Sequence, residues 1–166
     1  MRRRLLPLLL LAFTASVLHA QGKLAVYGTA GVEKTYINNE GWMLAGTVGL
    51  YYGLGHLGPI AIAVDARGDF SNNIDSGLFG PRIALTLPGF PIKPYFEVLG
   101  GFSRYSSVGS GSNTDVNYRW VGGLDATIIP HIDWRVVDYS YSGAGINDGG
   151  VNFHPQTLST GIVVRF

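Results

Sequence analysis

QTLSTGIVVRF, residues Gln156–Phe166, ends the chain on an aromatic. Counting back in steps of two, Phe166, Val164, Ile162, Thr160 and Leu158 form an almost wholly apolar face. The intervening Arg165, Val163, Gly161, Ser159 and Thr157 are small or polar apart from Val163. A period of two is the signature of a strand with different surroundings on its two faces. Three homes suit it: the wall of a membrane barrel, the wall of a soluble barrel, or the edge of a sandwich.

The rest of the chain narrows the choice. Its 166 residues allow one domain, and they are 46% hydrophobic but only 14% charged, with 24 glycines and 9 tyrosines. Soluble domains carry about 25% charged residues. Met1–Ala20, MRRRLLPLLLLAFTASVLHA, has a basic start, an apolar stretch from Leu5 to Leu18 and a small residue at its end. It reads as a secretory signal peptide cleaved after Ala20, too short in its apolar part to span a bilayer. The expected organisation is therefore a signal peptide over 1–20 and one domain over 21–166. Removing the three arginines of the leader from the 12 basic residues leaves 9 against 11 acidic ones, a net charge of −2. Nucleic-acid binding, which wants a basic patch, finds no support. Cysteine is absent, so an exported form has no disulfides and no lipidated cysteine.

Eight alternating segments follow: Leu24–Lys34, Trp42–Tyr52, Ile60–Phe70, Leu78–Leu87, Tyr95–Tyr105, Tyr118–Ile129, Trp134–Ser142 and Gln156–Phe166. Connections after the second, fourth and sixth are short and carry Pro59, Pro88, Pro91, Pro94 and Pro130. Those after the third, fifth and seventh, at Ser71–Gly77, Ser106–Asn117 and Gly143–Pro155, are polar and mostly longer. An even strand count with tight turns at one end and longer loops at the other fits an up-and-down barrel in an outer membrane. In the five clearest segments, the second, third, fifth, sixth and eighth, one face carries no charge, for example Ile60, Ile62, Val64, Ala66, Gly68 and Phe70. A soluble barrel would put charge outward, and here the apolar face is the continuous one. Trp42, Phe70, Trp120 and Tyr141 are expected in an external aromatic girdle, and Tyr52, Phe96 and Phe166 in a periplasmic one. Pro81, inside the fourth segment, calls for a bulge or for a strand that starts only at Arg82, because a closed sheet has no edge to hide a missing N–H.

The opposite faces are small residues interspersed with Asp65, Arg67, Asp69, Arg82, Glu97, Arg119, Asp125, Asp138 and Arg165. Eight strands leave a lumen only wide enough for side chains, and charges held away from water must pair. These nine residues are expected to form an interior polar network, with a plug as the main reading and a narrow gate as the alternative. His56, His131 and His154 show no metal-ligand spacing; a Ser–His–acid set of Ser159, His154 and Asp148 has nothing to position it. No catalytic, metal or cofactor site is therefore assigned, and no cofactor is expected.

With these features the chain resembles the small outer-membrane β-barrel domain family, similar to the OmpA transmembrane domain and OmpX. GPRIAL (Gly80–Leu85), KPYFEVLGG (Lys93–Gly101) and GGLDATIIPHIDWRVVDYSY (Gly122–Tyr141) look like its strand and strand–turn–strand pieces. The resemblance implies an eight-stranded antiparallel up-and-down transmembrane barrel in the cell outer membrane. It also implies that Leu158, Thr160, Ile162, Val164 and Phe166 form an assembly signal read by the barrel-assembly machinery. The expected partners are outer-membrane lipid and that machinery, with the barrel monomeric. The expected role is structural or surface-interacting and non-enzymatic; a porin-like channel, a lipid-modifying enzyme and a soluble ligand-binding barrel are the alternatives.

Overall fold

Alternating strands joined by short connections pair with their chain neighbours, and the set closes when the last meets the first. The computed structural model describes residues 23–34, 41–72, 74–87, 89–106, 112–142, 146–148 and 151–166. Strands β1 (Leu24–Lys34), β2 (Met43–Leu57), β3 (Ile60–Ser71), β4 (Ile74–Leu85), β5 (Ile92–Ser106), β6 (Ser112–Ile129) and β7 (Ile132–Ser142) run antiparallel in order. Two short strands, β8 (Ile146–Asp148) and β9 (Val151–Phe153), form a separate hairpin before β10 (Gln156–Arg165). β10 pairs with β7 on one side and β1 on the other, which closes an eight-stranded barrel. The signal peptide expected over residues 1–20 lies outside the described residues.

The stagger of the wall follows from the register. Cross-strand partners lead from Lys34 through Gln156, Tyr141, Trp120 and Val98, then Pro81, Val64 and Tyr52, back to Leu24 on β1. Val98 and Pro81 are aligned by the flanking pairs Phe79–Gly100 and Arg82–Glu97. One circuit thus descends ten residues along β1, from 34 to 24. A stagger of this kind goes with strands tilted roughly 35–45° to the axis.

The barrel is inside out. Among the described residues, 31 large hydrophobic side chains are exposed, whereas the buried set holds 20 polar or charged residues and only 9 hydrophobic ones. Leu44, Val48, Phe70, Phe79, Phe102 and Val116 are each more than half exposed. In water that surface would cost heavily; in lipid it is the favourable one.

Pro81 follows neither expected course. β4 runs through it from Ile74, keeps the Val64–Pro81 pairing with β3, and shows no register shift. Instead the ladder to β5 lapses at Gly80 and Pro81. The proline ring points outward, and the missing N–H falls on the lapsed side. Gly80 is needed there because a Cβ would lie 2.1 Å from the Val98 carbonyl oxygen.

Two of the three polar connections are shorter than the sequence suggests, and the third keeps its bounds but holds a hairpin of its own. Ser71–Gly77 contains only residues 72–73 outside strands, with Ile74 already buried at 2% exposure. Ser106–Asn117 is largely a continuation of the β5–β6 hairpin, paired as far as Ser106–Ser112. Alternation persists there in polar dress, with Val116 outward and Asn117 buried. Gly143–Pro155 contains the β8–β9 hairpin. At the opposite end, β2 runs to Leu57, and the turns Gly58–Pro59 and Pro130–His131 are two residues each. Gly58 and His131 adopt positive φ, 60° and 72°.

Candidate functional site

The barrel's distinctive chemistry is inside it. Alternation sends Arg67, Asp69 and Asp65 of β3, Arg82 of β4, Glu97 of β5, and Arg119 and Asp125 of β6 inward, each no more than 5% exposed. β7 adds Arg135 and Asp138, both fully buried. Strict alternation cannot bury both, because they are three residues apart. A β-bulge resolves this. β6 pairs Leu124 with Val137 and Asp125 with Arg135, so Val136 has no partner. β10 shows the same shift between Ser159–Asp138 and Gly161–Arg135. The extra residue inverts the parity of the strand.

The bulge completes a closed ring of alternating charge. Arg67 Nη2 donates to Asp138 Oδ1 at 3.0 Å, and Arg135 Nη1 to Asp138 Oδ2 at 3.3 Å. Arg135 Nε donates to Asp125 Oδ1 at 2.9 Å, and Arg82 Nη2 to Asp125 Oδ2 at 2.8 Å. Arg82 Nη1 donates to Glu97, whose other oxygen faces Arg67 Nη1 at 3.6 Å. Three arginines and three carboxylates therefore hold one another across the lumen. Only the Arg67–Glu97 contact lacks a hydrogen bond, and neither of those two atoms finds another partner.

Aromatic rings stack with the guanidinium groups. The Cζ of Arg135 lies 4.0 Å from the Tyr27 ring centre and 4.6 Å from that of Tyr95. That of Arg82 lies 3.7 Å from Tyr95 and 4.5 Å from Tyr51. Tyr27 and Tyr95 also donate their hydroxyls to Asp65 at 2.8 Å and Asp138 at 2.6 Å. Two inward glycines make room for these rings. A Cβ on Gly49 would meet the Tyr27 ring at 2.4 Å, and one on Gly123 would meet the Tyr95 hydroxyl at 2.4 Å.

Above the ring, toward the long loops, Arg119 Nη1 donates to Asp69 Oδ2 at 2.8 Å, and Asp69 also accepts from Thr47 and Arg67 Nε. Ser142, Asn117, Ser103 and Ser76 continue the hydrogen bonds across that level. Glu33 accepts from Ser71 and Thr157. Below the ring, Asp133 binds Lys93 at 3.1 Å and Arg165 at 2.9 Å. Arg165 is the exception among the nine interior candidates. Its side chain is 33% exposed at the mouth, because it is the last residue of β10.

The outward sets divide differently. Trp42, Tyr52, Phe70, Phe96, Trp120 and Phe166 are all exposed, and Tyr141 stacks on His154 at 5.6 Å. Phe96 and Trp120, expected in opposite girdles, touch each other at 5.7 Å between ring centres. Girdles are separated by an apolar band of about 25 Å, so this pair cannot mark both. β6 begins at Ser112 and not at Tyr118, so Trp120 lies in mid-strand, and the register Phe96–Gly122 and Val98–Trp120 sets the two rings diagonally across adjacent strands. In β10, Leu158, Thr160 and Ile162 are exposed and Val164 half-buried, and Phe166 just beyond it is exposed. Thr160 has a particular job: its hydroxyl donates to the Arg135 carbonyl at 2.9 Å, beside the bulge, and accepts from Trp134 Nε1 at 3.0 Å.

The residues of the conceivable hydrolytic set are not brought together. Ser159 Oγ donates to Thr29 Oγ1, and His154 Nδ1 contacts the Ser142 carbonyl oxygen; the Asp148 side chain lies outside what the structure describes. Arg135, Asp133, Lys93, Glu33 and the three tyrosines were not singled out by the sequence. RVVD, two valines between an arginine and an aspartate, is the one local signal of the bulge.

No family model matches the chain, and no curated protein matches it by sequence. Solved structures do. Neisserial surface protein A aligns over 86% of this chain and 97% of its own, with 19% identity and a TM-score of 0.63. The outer membrane enzyme PagL aligns over 86% and 99%, with 15% identity and a TM-score of 0.60. The N-terminal β-barrel domain of Pseudomonas aeruginosa OprF aligns over 88% and 100%, with 14% identity and a TM-score of 0.55. At these identities the likeness is one of fold: the chain has the architecture of small outer-membrane transmembrane β-barrels.

Proposed function

We propose that this chain is an outer-membrane protein whose barrel is a sealed, non-enzymatic anchor that presents its long-loop end at the cell surface. The observation that carries this reading is the closed ring of three arginines and three carboxylates across the lumen, stacked with Tyr27, Tyr51 and Tyr95. It fills the cross-section that a pore would need. The β5–β6 hairpin supports the surface role, because β6 residues 112–118 pair only with β5 among the described residues. That leaves a polar strand edge beyond the rim, and such edges can accept a partner strand. The Leu158–Phe166 alternation serves assembly in this reading, after removal of residues 1–20.

The absence of cysteine permits a clean test. Thr114→Cys in intact cells is expected to react with a membrane-impermeant maleimide, and Thr86→Cys only after the outer membrane is permeabilised. The reverse pattern, or extraction of the protein by carbonate washing, sinks the proposal. Planar bilayers holding the purified barrel are expected to show no channel events. Stable conductance would instead favour the porin-like reading.

A further inference from the structure

The interior is not filled to both ends. At the short-turn mouth a vestibule of about 200 Å³ opens and ends against Arg82. Its charged lining is Lys23, Arg82, Lys93 and Arg165, opposed by Asp125 alone. Arg82 and Asp125 already bind each other within the ring. Asp133, the acid that binds both Lys93 and Arg165, does not line the space: its side chain is 1% exposed, against 18% for Lys93 and 33% for Arg165. One carboxylate shared by two cations leaves a positive charge over. Lys23 adds a second, since it takes part in none of the ion pairs among the described residues. The backbone that carries Lys23 and Arg165 is anchored to the neighbouring strands. Gly53 N donates to the Lys23 carbonyl and Arg165 N to the His131 carbonyl, both at 2.8 Å. Lys93 belongs to β5, four strands from β1 in either direction round the barrel, so positive charge converges from opposite walls. The apolar remainder of the wall, such as Ile62 and Ala84, concentrates the field within a low-dielectric cleft.

We propose that this vestibule binds one phosphate-type oxyanion through Lys23, Lys93 and Arg165. Size agrees with a small ion. At about 30 Å³ per water, the space holds roughly six waters, enough for a tetrahedral oxyanion with part of its hydration. It lies below the roughly 300–1,000 Å³ typical of sites for larger organic ligands. The phosphate can come free from solution or on the headgroup of an anionic phospholipid.

The test uses the full barrel refolded in a phosphate-free nonionic detergent and titrated with inorganic phosphate, read by ³¹P line broadening. Saturable one-to-one binding is expected, weakened at least tenfold in K23Q/R165Q. Heat-modifiable migration establishes that the variant is folded; if it is not, K23Q alone, which removes no ion pair, takes its place, with at least a threefold weakening. A second arm repeats the titration in nanodiscs of zwitterionic lipid with and without phosphatidylglycerol. Competition that weakens phosphate at least tenfold identifies the headgroup as the source, and unchanged affinity identifies free phosphate. No saturable binding in detergent and zwitterionic nanodiscs, or a folded variant that binds like the wild type, overturns the proposal.

Discussion

Replacing Arg135 with methionine should destabilise the barrel far more than its single position suggests. Arg135 gives Asp125 two hydrogen bonds, at 2.9 and 3.4 Å, and Asp138 one at 3.3 Å. Its loss leaves the ring with two cations against three carboxylates, all buried. Breaking a buried ion pair from one side costs about 3–5 kcal/mol. Loss of the guanidinium from between Tyr27 and Tyr95 adds about 1 kcal/mol, while the methionine recovers some of the packing. The expected cost is about 4 kcal/mol. D125N/R135M should be less damaged than R135M alone, because two cations then face two carboxylates. The assay is urea unfolding of the refolded barrel in phosphatidylcholine vesicles, followed by tryptophan fluorescence. Trp42, Trp120 and Trp134 all lie exposed on the outer wall, so their emission reports loss of lipid contact. A cost below 1 kcal/mol for R135M, or a double variant as unstable as the sum of the two single ones, would refute the idea that the ring acts as one charge-balanced unit.

Gly123→Ala should cost about 2–4 kcal/mol in the same assay, since its Cβ would crowd both the Tyr95 hydroxyl, which bonds Asp138, and the Val137 carbonyl oxygen, each at 2.4 Å; an unchanged midpoint would show that the slot is not needed. Thr160→Val makes the lipid-facing wall more apolar, yet should destabilise by about 1–3 kcal/mol by leaving the Arg135 carbonyl and Trp134 Nε1 unpaired; a gain in stability would contradict the assigned role. His131→Gly should stabilise by about 0.5–1 kcal/mol, because φ of 72° favours glycine, and a clear loss would show that the ring contact with the Arg165 carbonyl dominates. Deleting Val136 removes the bulge and should yield no heat-modifiable folded band, whereas Val136→Ala should fold normally; efficient folding of the deletion would disprove the parity argument.

Periodicity carried the fold because it is a local property. Ile60–Phe70 declares both of its faces within eleven residues, and eight such segments with short connections can close in only a few ways. The polar hairpin of residues 106–117 was harder to read, because its pairing is set by the partner strand rather than by apolar residues. The interior was legible wherever alternation held, as for Asp65, Arg67 and Asp69. It failed at Arg135, where a single extra residue reverses every later side chain. Tyr27 and Tyr95 were missed for a different reason. Aromatics on a barrel of this kind are read as lipid-facing, and only the cross-strand positions of Gly49 and Gly123 show that there is space for them inside. Phe96 and Trp120 show the remaining gap. Their contact follows from the β5–β6 register, in which Val98 faces Trp120 and Phe96 faces Gly122, and that register rests on the polar start of β6, which no apolar alternation announces.

The bulge, Thr160 and Gly123 form a single device. The ring needs a third cation between Asp125 and Asp138, and β7 is the strand that carries one beside both. Strict alternation from Asp138 would turn Arg135 toward lipid, at a cost of about 2–4 kcal/mol near mid-bilayer, and would leave Asp125 with Arg82 alone. One additional residue, Val136, avoids both penalties but disturbs the ladder, leaving a carbonyl facing an environment without water. Thr160, directly across on β10, satisfies that carbonyl with its hydroxyl. The one polar residue in the apolar face of the terminal strand is therefore a consequence of the charge pattern inside the barrel. Gly123, paired with Asp138 on the other flank, admits the Tyr95 ring that hydrogen-bonds the same carboxylate. Outer and inner faces of the wall are thus specified together, and a substitution on the lipid side reaches the buried ring through two bonded contacts.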